Sequence, residues 1–308
     1  MTSPDADSDA LPPIIAAAGN PARKTQMQGI ALLLMAVVVF SLMDATAKHL
    51  GGDYPPAQIV WARFVGNLFL VVVIFGPRLR RTLVSTKPGL QLARGLSHIA
   101  SSALFFTSLQ FIGLAEATAI MDINPVLITL GAALFLGESI GWRRILGIAA
   151  ALVGALIIIR PGAGVFHPAA ILPLIGAFTY AAGAILTRLT RGDSTATSVL
   201  WSALVGSVLS SLVVPFFWQP IQTVDIWAFL LLGLLGAVSQ ALLIRAFALA
   251  EASAIAPFGY TGLVWAGLWG FLVWGTIPDL WTVTGALIIV AAGIYVWMRE
   301  ARAMHRAA

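Results

Sequence analysis

The segment LAEATAI at residues 114–120 recurs 135 residues later as LAEASAI at residues 249–255, with six of the seven residues identical. Similarity extends outward from this pair, since Gly147 recurs as Gly285. Four more residues recur after 140 positions: Lys48, Trp61, Val65 and Gly66 are matched by Arg188, Trp201, Val205 and Gly206. The nearly constant shift indicates an internal duplication rather than chance likeness between apolar segments.

Both copies consist of long apolar segments. Hydrophobic residues make up 59% of the 308 residues and charged residues 10%, whereas a typical soluble domain has about 25% charged residues. Ten stretches have the length and apolarity that a helix needs to cross a bilayer; they are residues 28–48, 56–76, 90–112, 117–137, 142–160, 168–188, 195–217, 226–248, 252–274 and 280–298. Helices are predicted because polar and apolar residues do not alternate as they would in strands.

Each copy holds five predicted spans, so the second copy must enter the membrane upside down relative to the first. The predicted fold is therefore an all-α membrane protein with ten transmembrane helices in two inverted five-helix repeats. The first repeat is predicted at residues 27–162 and the second at 163–300, between a disordered cytoplasmic tail at 1–26 and a short cytoplasmic tail at 301–308. Inverted repeats place a binding site near the midplane, between the halves.

Positive charge predicts the orientation. With the N-terminus in the cytoplasm, 15 of the 18 Lys and Arg residues lie at or near the cytoplasmic side, the exceptions being Lys48, Arg63 and Arg160. Such an excess is typical of cytoplasmic loops. An even number of spans then places the C-terminus in the cytoplasm as well.

Several classes of protein lack support in this sequence. It has no HExxH or P-loop motif and no cysteine, which disfavours a metalloprotease, an ATP-driven pump and a zinc-thiolate site. It has no TVGYG filter, which disfavours a potassium-type channel. A secondary transporter without metal or cofactor is the favoured class, with an intramembrane enzyme or a channel as the alternatives.

Two segments resemble repeat ends in the drug/metabolite transporter (DMT) superfamily, EamA type. They are LGESIGWRRILGIAAALVGALIIIRPG at residues 136–162 and SAIAPFGYTGLVWAGLWGFLVWG at residues 253–275. One departure is that Gly137-Glu138 of the first repeat is matched by Gly275-Thr276 in the second, which puts a cap or loop contact in doubt.

This resemblance implies ten helices in two inverted repeats, a multi-pass protein of the bacterial inner membrane, and transport of small metabolites, often outward. Within the superfamily the chain resembles bacterial amino-acid exporters of the YddG kind. The substrate class stays open, with nucleosides, sugars and cationic drugs as alternatives. No nucleic-acid partner is implied, and one chain with two fused repeats suffices as a monomer.

Polar residues within the spans predict the binding site, because an ionisable group in a membrane helix should face a cavity or a partner. The third span has one face that carries Arg94, His98, Ser101, Ser102 and Phe105. A neutral imidazole can donate or accept, so His98 is predicted to bind a substrate carboxylate or to sense protons. The alternative is that the serines allow close helix packing and His98 bonds a neighbouring carbonyl.

Aromatic and amide groups complete the predicted lining of a central cavity formed by spans one, three, four, six, eight and nine. They are Phe40, Tyr180, Gln240, Tyr260 and Trp265. Such a mixture suits a zwitterion with an apolar side chain, although each residue is also compatible with ordinary packing. Spans five and ten are rich in Gly and Ala and are predicted to pack behind the two repeats.

Four charged residues are candidates for ion pairs or for coupling. Asp44 and Lys48 are four residues apart and can pair on one helix, while Arg63 is another possible partner for Asp44 or for Asp122. Proton exchange would require His98, Asp44 or Asp122 to titrate. In the fourth and ninth spans, Pro125 and Pro257 lie in similar regions and are predicted hinges, because proline frees backbone groups and bends a helix. The sequence therefore predicts a transporter that works by alternating access.

Overall fold

The computed structural model describes residues 21–136, 142–159, 167–190, 192–249 and 256–307, and within these ranges all regular structure is helical. The α-helices there are α1 (Pro21–Leu50), α2 (Pro56–Phe75), α3 (Leu79–Leu83), α4 (Pro88–Ser108), α5 (Leu114–Met121), α6 (Asn124–Leu136), α7 (Trp142–Ile159), α8 (Ile171–Leu189), α9 (Thr195–Val213), α10 (Ile226–Leu249), α11 (Thr261–Trp274) and α12 (Leu280–Ala307). Short 3₁₀ turns lie at Gly76–Arg78, Pro168–Ala170, Val214–Phe217, Thr223–Asp225 and Ala256–Tyr260.

Five helices of the described chain are long and apolar enough to cross a membrane. They are Met27–Leu50, Pro56–Ile74, Pro168–Thr187, Ala196–Phe217 and Thr223–Leu243. Three shorter apolar helices are Ile145–Ile159, Phe258–Trp274 and Leu280–Tyr295. Helix α4 is not in either group, and its sequence carries Gln91, Arg94 and His98 among apolar residues. The structure therefore has several apolar spanning helices, while ten spans remain a prediction.

The fourth and ninth predicted spans contain breaks. The fourth span divides into α5 and α6, separated at Asp122 and Ile123. Pro125 lies in the first turn of α6, where the missing N–H of proline is tolerated. In the ninth span, Pro257 lies in the 3₁₀ turn Ala256–Tyr260 that precedes α11. Both prolines thus lie where a helix starts anew.

The helices at both ends of the chain are longer than the sequence predicts. Helix α1 begins at Pro21, so residues 21–26 of the predicted tail are helical. Helix α12 continues to Ala307, so the predicted tail at 301–308 is helical up to that residue. Residues 1–20 lie outside the described part of the chain.

Glycine ends α11 in the second repeat. Gly275 has φ 65°, in the left-handed region that favours glycine. Its N–H donates to the Phe271 carbonyl at 2.9 Å, and the Thr276 N–H donates to the Gly270 carbonyl at 3.1 Å. The Thr276 hydroxyl also reaches the Gly270 carbonyl at 2.9 Å. Thr276 thus closes this cap, whereas the matching Gly137 and Glu138 lie outside the described residues.

The same helix pairs pack together when the two halves of the chain are exchanged. Helix α1 packs on α10 as α8 packs on α4, and α2 packs on α10 as α9 packs on α4. Likewise α1 meets α11 as α8 meets α6. The pairs α2 with α9, α5 with α11, and α7 with α12 each join a helix to its own counterpart. Two copies of one unit related by a two-fold axis produce this pattern.

Glycines allow the closest helix crossings. A Cβ atom on Gly66 of α2 would lie 2.5 Å from the Cα of Gly233 on α10. A Cβ on Gly154 of α7 would lie 2.8 Å from the Gly285 carbonyl oxygen on α12. Small residues let helix backbones approach in membranes. Helix α7 packs on α12, and the location of these two Gly- and Ala-rich helices behind the two repeats stays a prediction.

Candidate functional site

Arg63 reaches from α2 towards α4 in the interior of the helix bundle. Its Nη1 donates to the Ser102 hydroxyl at 3.1 Å, and that hydroxyl donates to the His98 carbonyl at 2.9 Å. The guanidinium also lies 5.2 Å from the ring centre of Phe106 and 5.7 Å from that of Phe64. Aromatic faces attract a cation, so two rings and one hydroxyl hold the guanidinium while some of its N–H groups are left for another acceptor.

His98 lies beside this arginine. Its ring meets the Phe64 ring edge-on, with centres 5.5 Å apart and an angle of 89°. Arg63 and Arg94 are its electrostatic neighbours. As a residue, His98 is half-buried inside the bundle.

Opposite charges and a phenol share this region. Asp44 of α1 and Tyr180 of α8 are both electrostatic neighbours of Arg63. Tyr180 lies deep among protein atoms, yet 38% of its surface is exposed, and Asp44 and Arg63 are half-buried. All three side chains therefore keep some accessible surface. We call Asp44, Arg63, His98, Ser102 and Tyr180 the central cluster.

The polar face of α4 divides among three neighbouring helices. Arg94 turns to α9, where its Nη1 and Nη2 donate to the Ser198 carbonyl at 3.1 and 2.7 Å and its Nη1 also reaches the Ser202 hydroxyl at 2.9 Å. Ser101 donates to the Gly176 carbonyl of α8 at 2.9 Å. The packing alternative therefore describes Ser101, whereas Ser102 and His98 meet α2. Phe105 is 8% exposed and lies beside Phe106.

Lys48 has partners other than Asp44. Its Nζ donates to the carbonyls of Leu109 and Ile112, at 2.9 and 2.7 Å, just beyond the end of α4. The ammonium also lies 5.6 Å from the Trp274 ring centre, and Glu116 is its electrostatic partner. Lys48 thus joins α1 to the connection between α4 and α5. Of the two partners predicted for Asp44, Lys48 and Arg63, it is Arg63 that lies near the Asp44 carboxylate.

The remaining predicted residues lie on α1, α10 and around α11. Trp265 stacks on Trp269, with ring centres 6.5 Å apart at 27°, and the Trp269 indole N–H donates to the Ser41 hydroxyl at 3.0 Å. Phe40 and Gln240 are half-buried on α1 and α10. Trp265 and Trp269 thus bring aromatic surface to the α1–α11 contact.

Asp122 and Tyr260 lie at the two helix breaks and not in the central cluster. Each has a buried oxygen atom without a hydrogen-bond partner in the described chain, as does Asn124. Tyr260 also lies against Gly293 of α12, where any Cβ atom would collide with its hydroxyl. These three residues therefore form a second polar group, which we call the break cluster.

Phe64, Phe106 and Trp269 contact the predicted residues but are absent from the predicted set. One signal could have found Phe64. The signal is that Phe64 directly precedes the repeated Val-Gly pair. In the structure its ring packs so closely on Gly206 that a Cβ atom there would collide with it. For Phe106 and Trp269 nothing in the helical spacing separates them from lipid-facing aromatics.

Two polar clasps lie outside the spanning helices. In the Asp193 clasp, the Asp193 carboxylate accepts hydrogen bonds from Gln91 Nε2, the Thr86 N–H and the Thr86 hydroxyl, each at 2.8 Å, and from the Ser85 hydroxyl. These donors, Gln91 first, hold the pKa of Asp193 well below its ordinary value. The carboxylate therefore stays ionised through the physiological range and joins the loop before α4 to the loop after α8.

The Tyr54 clasp joins the equivalent loops of the exchanged halves. The Tyr54 hydroxyl donates to Asp225 Oδ2 at 2.7 Å and accepts from the Gln222 N–H at 3.0 Å. Gln58 and Gln219 exchange two further bonds, at 3.0 and 3.1 Å. Burial is the main cause that raises the pKa of Tyr54, so the phenol is a neutral donor at pH 7.

No group of His, Asp or Glu side chains suited to a metal ion occurs among the described residues. The polar sites there consist of hydrogen-bonding and charged groups that can bind a solute directly.

Comparison with known proteins finds one family model that matches each half of the chain. The model of the EamA-like transporter family matches the chain twice, over residues 27–160 and 167–298. A solved crystal structure superposes with a TM-score of 0.62 at 17% identity, covering 91% of this chain and 98% of that chain. The shared fold is therefore established over nearly the whole length.

Three relatives carry transporter names. The S-adenosylmethionine uptake transporter of Rickettsia bellii (strain RML369-C) is 27% identical over 291 residues, or 93% of this chain and 99% of that protein. The pseudopaline exporter CntI of Pseudomonas aeruginosa (strain UCBPP-PA14) is 29% identical over 276 residues, 86% and 94% of the two chains. The riboflavin transporter of Vibrio cholerae is 26% identical over 292 residues, 91% and 96% of the two.

Proposed function

Because the chain belongs to the EamA-like transporter family, a branch of the DMT superfamily, we propose that it exports amino acids or similar zwitterions by alternating access between its two repeats. The family and the transporter-named relatives make it a membrane transporter of small metabolites and not an enzyme. Export and the amino-acid substrate are the finer part of the proposal.

The observation that carries the substrate class is the pairing of opposite charges in the central cluster. Arg63 offers guanidinium N–H groups to a carboxylate, and Asp44 offers an acceptor to an ammonium group. A charged side chain inside a membrane bundle typically marks a substrate or ion pathway. His98 and Ser102 add neutral hydrogen-bonding groups, while Tyr180 adds an exposed ring against which an apolar substrate side chain can pack.

The names of the relatives indicate alternative substrates. Their names specify S-adenosylmethionine, pseudopaline and riboflavin, and they include both uptake and export. The stacked Trp265 and Trp269 pair favours one second candidate, a solute with a planar ring. Such a solute would be held at the α1–α11 contact instead of between Asp44 and Arg63.

Inverted repeats permit alternating access, and we propose ten spans with both termini in the cytoplasm of a bacterial inner membrane. The exchange symmetry of the helix contacts supports two equivalent halves. The helix breaks near Pro125 and Pro257 supply the hinges in this proposal, because broken helices occur where transporters form their sites. One chain contains both halves, which supports a monomeric transporter.

Counterflow in proteoliposomes tests the substrate. Vesicles containing purified protein are loaded with unlabelled threonine, methionine or phenylalanine, and uptake of the labelled form is followed. Arg63→Gln should lose most of the uptake because the carboxylate loses its cation, and His98→Ala should weaken it. Arg245→Gln is the matched control, since Arg245 is exposed near the end of α10.

The outcomes separate the candidates. Saturable uptake that Arg63→Gln abolishes and Arg245→Gln retains supports a zwitterion at the central cluster. Absence of uptake for every amino acid, from protein that elutes as a folded species, contradicts the amino-acid assignment. Uptake of riboflavin that depends on Trp265 instead of Arg63 would support the planar-ring candidate.

A further inference from the structure

The break cluster brings unpartnered polar atoms together at the two interrupted helices. Asp122 follows α5 and Asn124 begins α6, while Tyr260 ends the 3₁₀ turn before α11. Helix α5 packs against both α11 and α12, and the turn Ala256–Tyr260 also packs against both. Asp122 is an electrostatic neighbour of Tyr260. The two breaks therefore lie beside each other in the bundle.

Three oxygen atoms of this cluster are buried without a hydrogen bond in the described chain. They are Asp122 Oδ2, Asn124 Oδ1 and the Tyr260 hydroxyl. Buried polar groups normally find a partner, because leaving one unpaired costs about 1–3 kcal/mol. Three such atoms at one place indicate that the cluster changes partners during the working cycle.

Asp122 also lacks a compensating cation in the described chain. Helix α5 packs against α1, α7, α8, α11 and α12. The titratable or charged residues of α1 are Arg23, Lys24, Asp44, Lys48 and His49, and those of α7 and α8 are Arg143, Arg144, Tyr180 and Arg188. Helix α11 has none, and α12 has Tyr295, Arg299, Glu300, Arg302, His305 and Arg306. Glu116 lies on α5 itself. Among groups of the described chain, Tyr260 is the one with an electrostatic contact to Asp122, and it is uncharged at pH 7.

The other interior aspartate has a different environment. Asp44 has Arg63 as an electrostatic neighbour, so its charge is compensated within the protein. An ionised carboxylate with neither a cation nor a donor is costly in a low-dielectric interior and takes up a proton instead. The contrast between the two acids is therefore that Asp44 has a cation beside it, whereas Asp122 has none in the described chain.

We propose that Asp122 is the proton carrier of the transport cycle, protonated in the conformation described and deprotonated when the helix breaks rearrange. In the deprotonation step the Asp122 O–H bond breaks and the proton passes to water on the side to which the break opens. The carboxylate left behind accepts a hydrogen bond from the Tyr260 hydroxyl, which has no hydrogen-bond partner among the residues that the structure describes. One proton then moves inward for each solute that moves outward.

This inference rests on the proposed transport function only for its coupling step, so the protonation state is tested without any solute. Infrared spectra of the purified full-length protein at pH 7 should contain the C=O stretch of a protonated carboxylic acid. The band should vanish in Asp122→Asn and persist in Glu116→Gln, the matched removal of a carboxylate from α5, the helix that precedes Asp122. A wild-type band that persists in Asp122→Asn, or no such band at all, overturns the proposal.

Coupling is tested by transport of methionine with and without an imposed pH gradient. We expect a gradient that is acidic outside to accelerate wild-type efflux from vesicles, and we expect Asp122→Asn to lose this acceleration while methionine counterflow continues. Tyr260→Phe should show a partial loss, and Glu116→Gln should respond like the wild type. Acceleration that persists in Asp122→Asn, or that requires a sodium gradient in place of protons, contradicts the assignment.

The two tests fail independently. If methionine is not carried at all but the Asp122-dependent infrared band is present, the amino-acid substrate is wrong and the protonated Asp122 stands. If methionine is carried without any response to pH in the wild type, the proton-carrier role is wrong and the substrate stands.

Discussion

Replacing Gly66 by alanine should force α2 and α10 apart. The new methyl group would lie 2.5 Å from the Gly233 Cα and 3.4 Å from its carbonyl carbon. Since non-bonded carbons are most stable at about 3.5–4.0 Å, the backbones must separate by roughly 1 Å. Overpacking of a close contact costs about 1–3 kcal/mol, against a gain of about 1 kcal/mol from replacing a helical glycine by alanine. With the overpacking cost near its upper limit, the expected net loss is about 2 kcal/mol.

Thermal unfolding in detergent, followed by tryptophan fluorescence at one fixed scan rate, measures this loss. At about 2.1 cal/mol/K of unfolding entropy per residue, a chain of this length should show a Tm lowered by about 3 °C. Gly267→Ala is the control, because Gly267 also lies inside a helix but its added Cβ would be 4.0 Å from the nearest heavy atom, Pro278 Cγ. Its Tm should be unchanged or slightly raised.

Transport gives a second readout of the same change. Gly236 lies one turn along α10 from Gly233, and its Cβ would lie 3.7 Å from Arg63 Cγ. Displacing α10 therefore moves the surface against which Arg63 packs, so Gly66→Ala should slow counterflow while Gly267→Ala should not. Equal melting temperatures for Gly66→Ala and Gly267→Ala would refute the reasoning, because the crossing would then tolerate a side chain.

Three further changes have defined outcomes. Arg63→Lys should raise the amino-acid concentration for half-maximal counterflow about tenfold, because losing a charge-assisted bond costs about 1.5 kcal/mol or more; an unchanged value would remove Arg63 from the site. Asp193→Asn should lower the Tm at neutral pH, and this deficit should stay constant down to about pH 5. Hydrogen bonds, chiefly the one from Gln91, hold the pKa of Asp193 below its ordinary 3.8. The difference in Tm between the wild type and Asp193→Asn should therefore shrink only when the pH falls below about 5. A Tm difference that grows on acidification would contradict this reasoning. Trp269→Phe removes the indole N–H that binds Ser41 and should cost about 0.5–1.5 kcal/mol, seen as a Tm fall of about 1–2 °C at the same entropy per residue, whereas no change would mean that the bond contributes nothing.

The duplication was readable from sequence because helix positions recur at a nearly constant shift. Gly66 and Gly206 recur in this way, and α2 and α9, which contain them, pack on each other. For the fourth span, the sequence predicts that a bend is present but not where the helix is interrupted. Pro125 indicates a bend, but the position of the break at Asp122 and Ile123 depends on how α5 packs on α8 and α11.

The partners of the polar residues were not readable from sequence. Helical spacing groups Arg94, Ser101 and Ser102 on one side of α4, but it cannot tell which neighbouring helix each one meets. Arg94 meets α9, Ser101 meets α8 and Ser102 meets α2. Similarly, the spacing of Asp44 and Lys48 suits a pair, but two carbonyl oxygens beyond α4 bind Lys48 instead.

The packing of α1 on α10 has a consequence for how the protein is made. About 180 residues separate the end of α1 from the start of α10. Protein synthesis proceeds at about 5–20 residues per second. Roughly 10–40 s therefore pass between the synthesis of α1 and that of its partner α10. During that interval the charged groups of Asp44 and Arg63 have no completed interior to occupy.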